Sequence, residues 1–412
     1  MLVKNIGILT GIQPQGRLCV SGSQMAELTQ LTNAWLQVED GLIKDFGTGT
    51  PPALPHDEVL DAEGGCLLPS FCDSHSHIVY AGSREGEFVD KIRGLSYAEI
   101  ARRGGGILNS ADRLHLMSED ELYAQAMLRI EEIRAKGTGA VEIKSGYGLN
   151  TADELKMLRV IKRIKETAPL HVASTFLGAH AVGRAFTGRQ QDYVDMLVSE
   201  MIPEVGRQQL ADFIDVFCDE GFFTPEQTAS ILEAGARYGM RPKIHAQELA
   251  DSGGVKVAVE HNALSVDHLE SMTDSDILQL RRSSCMPTAL PGTSFFLGMP
   301  FAPGRKIIDA GLSLALASDY NPGSTPSGDM KFVVSLACIK MKLLPAEAIN
   351  AATLNSAAAM GISHSHGSIT RGKVANFIIT QPIPSIDYIP YAYTQPIIRH
   401  NVLNNSKTTL QG

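Results

Sequence analysis

The chain has 412 residues, 44% of them hydrophobic and 20% charged, an ordinary composition for a globular protein. A formal net charge of -9 argues against a nucleic-acid surface, because phosphate binding needs clustered Lys and Arg. The apolar run at the start is too short for a secretory signal, and no stretch approaches about 18 consecutive apolar residues. The six cysteines lack paired spacing, which indicates reduced thiols. We therefore expect a cytoplasmic protein with no nucleic-acid or membrane partner.

Both ends of the chain carry the pattern of short β-strands. Within residues 1–65, Glu39, Asp40 and Gly41 separate two strand-like runs, which is a hairpin signal with glycine at the turn. Residues 367–412 return to this style with SITRGKVANFIITQ and IIRHNVLN. We predict that the two termini together form one small β-sandwich domain.

The middle of the chain, residues 66–366, alternates short apolar strands with helical patterns such as TADELKMLRVIKRIKETA. Roughly eight βα units over this length have the rhythm of a (β/α)8 TIM-like barrel, so the predicted fold class is α/β. After an opening strand, the predicted strands cover residues 140–146, 171–180, 213–220, 242–248, 263–270, 283–289 and 312–319.

The segment LLPSFCDSHSHIVYAG, from Leu67 to Gly82, places His75 and His77 two residues apart at the end of an apolar run. In an extended strand, residues i and i+2 point to the same face, so both imidazoles converge while Ser76 turns away. An isolated HxH pair is as consistent with a half-buried strand as with a metal site. The rest of the chain must decide between the two.

Polar side chains also end several other predicted strands. These residues are His180, His245, His268 and Asp319. Asp319 follows an alternating run and lies on its small-residue face, which we expect to point into the barrel. Because the active sites of (β/α)8 barrels collect at the carboxyl ends of the strands, the pattern favours a functional site over packing.

Three neutral imidazoles and one carboxylate form a suitable site for Zn²⁺ or Fe²⁺, with an open position for water. We predict one metal ion with four ligands, which are His75, His77, His245 and Asp319. A metal ion lowers the pKa of bound water from about 16 toward about 7. Glu248, three residues after His245, is predicted to carry the water's proton to a leaving nitrogen. His268 would polarise a carbonyl or orient the hydroxide, and Asp319 is a further candidate for proton transfer.

Eight motifs follow one another along most of the chain: DSHSHIVYAGSREGEF, GGGI, EIKSGYGL, TFLGAHA, DVFCDEGFFTPEQ, KIHAQE, SVDHLE and ASDYNPGS. With these motifs the chain resembles the imidazolonepropionase family of the amidohydrolase superfamily. HxH with HxxE marks only the superfamily, whereas EIKSGYGL, TFLGAHA and DYNPGS together point to this family. The resemblance implies hydrolysis of 4-imidazolone-5-propanoate to N-formimidoyl-L-glutamate, the third step of histidine degradation. It also implies one divalent or trivalent transition-metal ion, zinc or iron, and a homodimer.

The resemblance further implies roles for individual residues. It places the metal ion on the four ligands predicted above, and it implies substrate contacts from Arg84, Tyr147, His180, Glu248, Asn321, Gly323 and Ser324. Arg84 would grip the propanoate tail, because a guanidinium can bind a carboxylate through two parallel hydrogen bonds. Tyr97 is a weaker candidate for the same tail.

Several other polar residues could be taken for metal-binding or catalytic groups, but we expect structural roles for them. A carboxylated Lys144 could bridge two metal ions, but the family that the chain resembles uses one. We expect Asp219 and Glu220 to form hydrogen bonds at the barrel rim rather than to act as catalytic acids. His364 and His366 form a second HxH in a Ser-rich link, which we interpret as a solvated linker.

Two other functions stay open on the sequence alone. A deaminase of the same superfamily would release ammonia from a nucleobase-like ring, although Arg84 and the DYNPGS motif argue against it. A non-catalytic assembly protein would keep the barrel without the metal, although the complete ligand set and Glu248 argue against that. Ammonia release and metal analysis discriminate between these alternatives.

Overall fold

A computed structural model gives the structure of the chain and describes residues 1–52, 59–95, 99, 103 and 105–404. The strands in these residues are β1 Leu2–Ile12, β2 Thr29–Glu39, β3 Leu42–Thr48, β4 Val59–Asp61, β5 Cys66–Pro69, β6 Phe71–Asp73, β7 Thr138–Lys144, β8 His171–Ala179, β9 Phe213–Cys218, β10 Arg241–Pro242, β11 Ile244–Ala246, β12 Ser265–His268, β13 Met286–Ala289, β14 Ala315–Leu316, β15 Phe377–Thr380 and β16 Ile398–Val402. The α-helices are α1 Glu85–Ile92, α2 Ile107–Leu116, α3 Glu119–Ala135, α4 Thr151–Thr167, α5 Gln190–Met196, α6 Ile202–Arg207, α7 Pro225–Ala236, α8 Gly254–Glu260, α9 Asp274–Leu280, α10 Pro291–Leu297, α11 Gly304–Asp309, α12 Met330–Met341, α13 Pro345–Asn350, α14 Ser356–Ala359 and α15 Tyr388–Tyr391.

The helix α3 illustrates how local signals set the helix boundaries. The Ser118 side chain accepts a hydrogen bond from the Glu121 backbone N–H, and the Glu121 carboxylate accepts one from the Ser118 backbone N–H. This capping box satisfies donors that the first helical turn leaves without partners. Gly137 ends the segment with a φ of 97°, a left-handed conformation that favours glycine.

Eight parallel strands form the barrel in the order β6, β7, β8, β9, β11, β12, β13 and β14. The residues that follow the first and last strands close the ring. The His77 N–H donates to the Tyr320 carbonyl at 2.9 Å. The Asp319 N–H donates to the His75 carbonyl at 3.0 Å. With the terminal β-domain described below, this arrangement confirms the predicted fold class.

The barrel strands are shorter than predicted, because residues at their carboxyl ends leave the extended conformation. Gln247, His268 and Asp319 have φ angles of 54°, 87° and 54°. A left-handed conformation at a residue other than glycine costs on the order of 1–3 kcal/mol and is concentrated at functional sites. Here it stops the β-ladder and turns the following residues across the barrel mouth.

The terminal domain is a seven-stranded sheet with the order β16, β15, β5, β1, β2 and β3, in which β4 also pairs with β1. Its β2–β3 hairpin turns at Asp40 and Gly41, whose φ angles of 52° and 77° are those of a tight hairpin turn. The strand β5 belongs to this sheet, so the chain passes into the barrel at Ser70, four residues after the predicted start at Cys66. The other domain boundaries stay predictions, and residues 405–412 lie outside the described residues.

An apolar cluster fills the amino-terminal ends of the barrel strands. It consists of Cys72, Ala140, Ala173, Phe213, Leu264, Ala357, Met360 and Ile362. This cluster closes one end of the barrel. The cavity described below opens at the opposite end, where the strands finish. All six cysteines are free thiols. Within the described part of the chain, we find no helix that combines the length and hydropathy of a transmembrane span.

Candidate active site

The predicted ligands His75, His77 and Asp319 converge at the carboxyl end of the barrel. The Nε2 atoms of His75 and His77 are 3.3 Å apart. The Asp319 Oδ1 atom lies 3.6 Å from the first of these nitrogens and 3.4 Å from the second. Ligands bound tetrahedrally at about 2.1 Å from one ion are about 3.4 Å from each other. The spacing of these three atoms therefore fits a single metal ion.

His245, the fourth predicted ligand, lies beside the two histidines of the HxH pair. Its ligand nitrogen lies within 4.8 Å of those of His75 and His77. The His245 Nε2 atom is buried and has no hydrogen-bond partner in the described part of the chain. His268 lies at the edge of the same cluster, because it forms a second group of this spacing with His75 and Asp319. Three imidazoles and a carboxylate suit Zn²⁺ or Fe²⁺, so the residues present fit the predicted metal.

Two buried carboxylates orient the histidine rings from behind. The Nδ1 atom of His75 lies 2.7 Å from Asp267 Oδ2. The Nδ1 atom of His245 lies 3.0 Å from Asp215 Oδ2. A carboxylate that accepts from Nδ1–H leaves the Nε2 lone pair available on the opposite side of the ring. The His75 ring therefore presents Nε2 to the cluster. The His245 Nδ1 atom is close to Asp215 Oδ2 but outside hydrogen-bond geometry, and Asp215 also holds this residue by accepting from the His245 backbone N–H at 3.1 Å.

Lys144 lies beneath the cluster as a charged ammonium. Its Nζ donates to Glu142 Oε1 at 2.6 Å and to Asp215 Oδ2 at 2.7 Å. Burial would lower the pKa of Lys144, but Asp215, Glu142 and Asp267 outweigh that effect and raise it. A carboxylated lysine would add a negative charge among three carboxylates. The geometry therefore supports the expectation that Lys144 does not bridge two metal ions.

Glu248 and His268 face each other beside the ligands. His268 Nε2 lies 3.6 Å from Glu248 Oε2, and His268 Nδ1 lies 3.6 Å from Glu270 Oε2. Burial, the largest influence, raises the pKa of Glu248 to about 7. Burial would lower the pKa of His268, but Glu248 and Glu270 outweigh it and raise that pKa to about 10. The site thus pairs a carboxyl group that titrates near neutrality with a positively charged hydrogen-bond donor.

Asp219 holds the loop that carries Glu248. Its Oδ2 atom accepts hydrogen bonds from the backbone N–H groups of Glu248 and Leu249 at 2.8 and 2.9 Å. Its Oδ1 atom accepts from those of Ala250 and Glu220 at 3.2 and 2.7 Å. The side chain of Asp219 is therefore engaged with the backbone. This confirms the expected hydrogen-bonding role at the barrel rim.

A cavity of about 740 Å³ opens over the cluster. All the predicted site residues except His75, which lies beneath the surface, line this cavity: His77, Arg84, Tyr147, His180, His245, Glu248, His268, Asp319, Asn321, Gly323 and Ser324. The structure thus brings together residues from six barrel strand ends and Arg84, the N-cap residue of α1. Tyr97 lies outside the described residues.

His180 and Tyr147 form one wall of the cavity. The His180 ring stacks on His77 with centroids 5.2 Å apart and an interplanar angle of 18°. Burial lowers the pKa of His180 to about 4, and its Nδ1 lies 3.1 Å from the Gly146 carbonyl. Nδ1 therefore carries the proton, and Nε2 is left as an acceptor. Glu154 accepts hydrogen bonds from three backbone N–H groups of the loop that holds Tyr147.

Arg84 and Gly323 contact each other on the opposite wall. The Arg84 guanidinium donates to Glu87 Oε2 from Nε at 3.0 Å and from Nη2 at 2.6 Å. A Cβ atom on Gly323 would lie 2.5 Å from Arg84 Nη1, so a larger residue there would displace the end of the Arg84 side chain. The Asn321 side chain is used within its own turn, where Oδ1 accepts from the Gly323 and Ser324 N–H groups at 2.8 Å.

Comparison with known proteins places this site in a family. The model of the amidohydrolase family matches residues 66–401. A protein named imidazolonepropionase from Christiangramia forsetii is 55% identical over 95% of this chain and 96% of its own length. One of the same name from Flavobacterium johnsoniae is 53% identical over 96% and 97%. The chain belongs to the imidazolonepropionase family. A solved triazine hydrolase variant shares the fold alone, with a TM-score of 0.75, 16% identity, and coverage of 98% of this chain and 93% of that one.

Several residues that line the cavity of this imidazolonepropionase family member were not predicted from its sequence. Lys91 lines it and donates to the Gly323 carbonyl at 3.1 Å. Its position seven residues after Arg84, which caps the start of α1, is two helical turns along the chain and was a signal in the sequence. Four aromatic rings also line the cavity, which are those of Phe88, Phe217, Phe222 and Phe296. No local pattern separates such rings from core residues.

Asp219→Ala is expected to lower kcat about 10- to 100-fold without loss of metal. The substitution removes the hydrogen bonds that place the Glu248 loop, and a displacement of about 1 Å at a reacting group costs up to about 100-fold. Glu220→Ala, at the exposed neighbouring residue, is the control. Steady-state kinetics with metal analysis would test this, and an unchanged kcat in Asp219→Ala would contradict the positioning role.

Proposed function

We propose that the chain hydrolyses the cyclic amide C–N bond of 4-imidazolone-5-propanoate to give N-formimidoyl-L-glutamate, a step of histidine degradation, with one zinc or iron ion. The observation that carries the proposal is 55% identity, over 95% of the chain, to a protein named imidazolonepropionase. The cavity adds a ligand cluster of metal spacing and an arginine on the opposite wall. The ligand cluster would serve the cyclic amide, and the arginine would serve the propanoate carboxylate.

Four residues would hold the metal ion, which are His75, His77, His245 and Asp319. When bound, the ion supplies positive charge that acidifies a water molecule and polarises a carbonyl group. Glu248 accepts a proton from the attacking water, because its carboxyl group titrates near neutrality and its loop faces the cluster. Glu248 then delivers that proton to the ring nitrogen as the C–N bond breaks. The oxygen of the water remains in the new carboxylate.

His268 stabilises the negative charge that develops on the carbonyl oxygen. Its protonated ring is held between Glu248 and Glu270 and can donate a hydrogen bond into the cavity. Asp319 is the alternative proton carrier. Its Oδ2 atom already accepts from Thr293 Oγ1 at 2.5 Å, which favours Glu248 for that role.

The remaining walls of the cavity would bind the two ends of the substrate. Tyr147 and the His180 Nε2 atom lie beside His77 and can hydrogen-bond the imidazolone ring. Arg84 can bind the propanoate carboxylate, and Lys91 adds a second positive charge nearby. The Asn321 turn presents Ser324 and backbone groups to the cavity.

Arg84→Ala is expected to lower kcat/KM about 10- to 150-fold, mainly through KM. A hydrogen bond to a charged group contributes about 1.5–3 kcal/mol, and each 1.4 kcal/mol is about tenfold. The test compares imidazolone propanoate with an analogue that lacks the propanoate tail. Arg93→Ala, an exposed cation just beyond α1, is the matched control. An equal effect on both substrates would contradict the role in tail binding.

The function is tested by metal analysis together with a ring-opening assay. The purified protein is expected to contain about one zinc or iron ion per chain and to convert imidazolone propanoate to N-formimidoyl-L-glutamate without release of ammonia. Removal of the metal by a chelator should abolish turnover, and addition of Zn²⁺ or Fe²⁺ should restore it. Ammonia release from cytosine or guanine, without turnover of imidazolone propanoate, would favour a deaminase. The homodimer and the cytoplasmic location stay predictions.

A further inference from the structure

Five charged side chains are buried together under the candidate metal site. Three are carboxylates and two are ammonium groups, namely Glu142, Asp215, Asp267, Lys144 and Lys243, all with side chains that are 0% exposed. A fully buried charge is costly unless it is paired and hydrogen-bonded. Two of the carboxylates, Asp215 and Asp267, are the groups that contact the rings of His245 and His75.

Lys144 connects the two carboxylates that orient the metal ligands. Its Nζ lies 2.7 Å from Asp215 Oδ2 and 3.8 Å from Asp267 Oδ2. Each of these oxygens is the one that faces an imidazole Nδ1 atom, in His245 and His75 respectively. One ammonium group therefore lies near the same carboxylate oxygens that face the two imidazole rings. Without it, these two negative groups would repel each other in a medium of low dielectric constant.

Lys243 occupies a different place in the same network. Its Nζ forms a short hydrogen bond with Glu142 and donates to the Ser74 carbonyl at 2.9 Å. It lies 3.9 Å from Asp267. Lys243 thus shares the burial and the charge of Lys144 and lies as near to Asp267, but the close contact with Asp215 is made by Lys144.

We propose that Lys144 is a positioning residue for the metal ligands: through Asp215 and Asp267 it holds the rings of His245 and His75 in the orientation that retains the metal ion. The inference rests on the proposed metal site. Removal of an outer partner of a metal-ligating histidine typically weakens metal binding about 10- to 100-fold. Loss of Lys144 removes the ammonium group that contacts Asp215 and one of the two ammonium groups near Asp267. We therefore expect metal retention to fall, mainly through Asp215 and His245.

The test measures metal loss rather than turnover. Wild-type protein, Lys144→Met and Lys144→Gln are loaded with Zn²⁺, and the rate of transfer to a coloured chelator is recorded. Both variants are expected to release Zn²⁺ about 10- to 100-fold faster than wild type. Loading with Co²⁺ gives a second readout, because the visible absorption of the ion reports its coordination geometry and should change in both variants.

Lys243→Met is the matched control, since it removes a buried ammonium group of the same network. It is expected to release Zn²⁺ more slowly than the Lys144 variants. A wild-type release rate and Co²⁺ spectrum in the Lys144 variants would overturn the inference, as would equal release from Lys243→Met. Failure of both Lys144 variants to fold would assign the residue to barrel stability and also count against it.

A double variant tests whether the effect passes through Asp215. If it does, Lys144→Met should accelerate Zn²⁺ release less in an Asp215→Asn background than in wild type, because the two changes share one path. Fully additive effects would contradict the inference. A wild-type protein that retains no zinc or iron would instead refute the proposed metal site itself, so the two failures are distinguishable.

Discussion

Glu248→Gln should lower kcat about 100- to 10,000-fold and leave the metal content unchanged. The amide keeps the size of the side chain and the backbone bonds from Asp219, but it cannot accept a proton from water. Its neighbour His268 also loses one of the two carboxylates that favour its charged form. Kinetics and metal analysis on the same preparation would separate the loss of proton transfer from the loss of metal.

The pH profile gives an independent readout of the same residue. In the wild type, kcat/KM should rise with pH through the pKa of Glu248, near 7, because only the deprotonated carboxylate accepts a proton. Glu248→Gln should lose this acid limb. Glu220→Gln, an exposed carboxylate at the same rim, is the control and should keep both kcat and the limb. Near-normal turnover by Glu248→Gln would exclude Glu248 as the proton carrier.

His245→Ala should lose metal and activity together. The change removes a predicted ligand, so metal affinity should fall by more than the roughly 10- to 100-fold expected for loss of an outer partner. Turnover should then fall to the background rate even in excess Zn²⁺. Metal analysis after dialysis, with circular dichroism to establish folding, provides the measurement.

His364→Ala is the control for this loss, because His364 is an exposed histidine of the second HxH motif. It should retain both metal and activity. Full metal content in folded His245→Ala would refute the ligand assignment. Retained metal with lost activity would leave His245 as a substrate-contacting residue instead.

The two HxH motifs show how far a local pattern can be interpreted. His75 and His77 follow a barrel strand and meet Asp319, whereas His364 and His366 follow a helix. The interpretation of the second motif as solvated linker was wrong for His366, which is 4% exposed and whose Nδ1 lies 2.9 Å from Ser365 Oγ. The spacing of an HxH motif therefore predicts only that its two side chains point to the same side of an extended chain. The fold decides what they meet.

Strand ends were predictable in position but not in conformation. The pattern of short apolar runs located the strands that contain His245 and His268 and the strand that precedes Asp319. It overestimated their length, because local patterns do not reveal the left-handed residues Gln247, His268 and Asp319 that stop the ladder. The backbone there is imposed by closure of the ring, and propensity does not favour it.

The sequence by itself determined the barrel with its terminal β-domain and located His75, His77, His245, His268 and Asp319 near strand ends, because hydrophobic period and strand-end chemistry are local properties. Only the tertiary structure decided the layer beneath the site. The His75 ring meets Asp267, 192 residues away, and His245 meets Asp215, with Lys144 against both carboxylates. Closure of the barrel brings inward-facing charges from distant strands to the same level below the site. The periodicity of the sequence does not show which of these charges will pair.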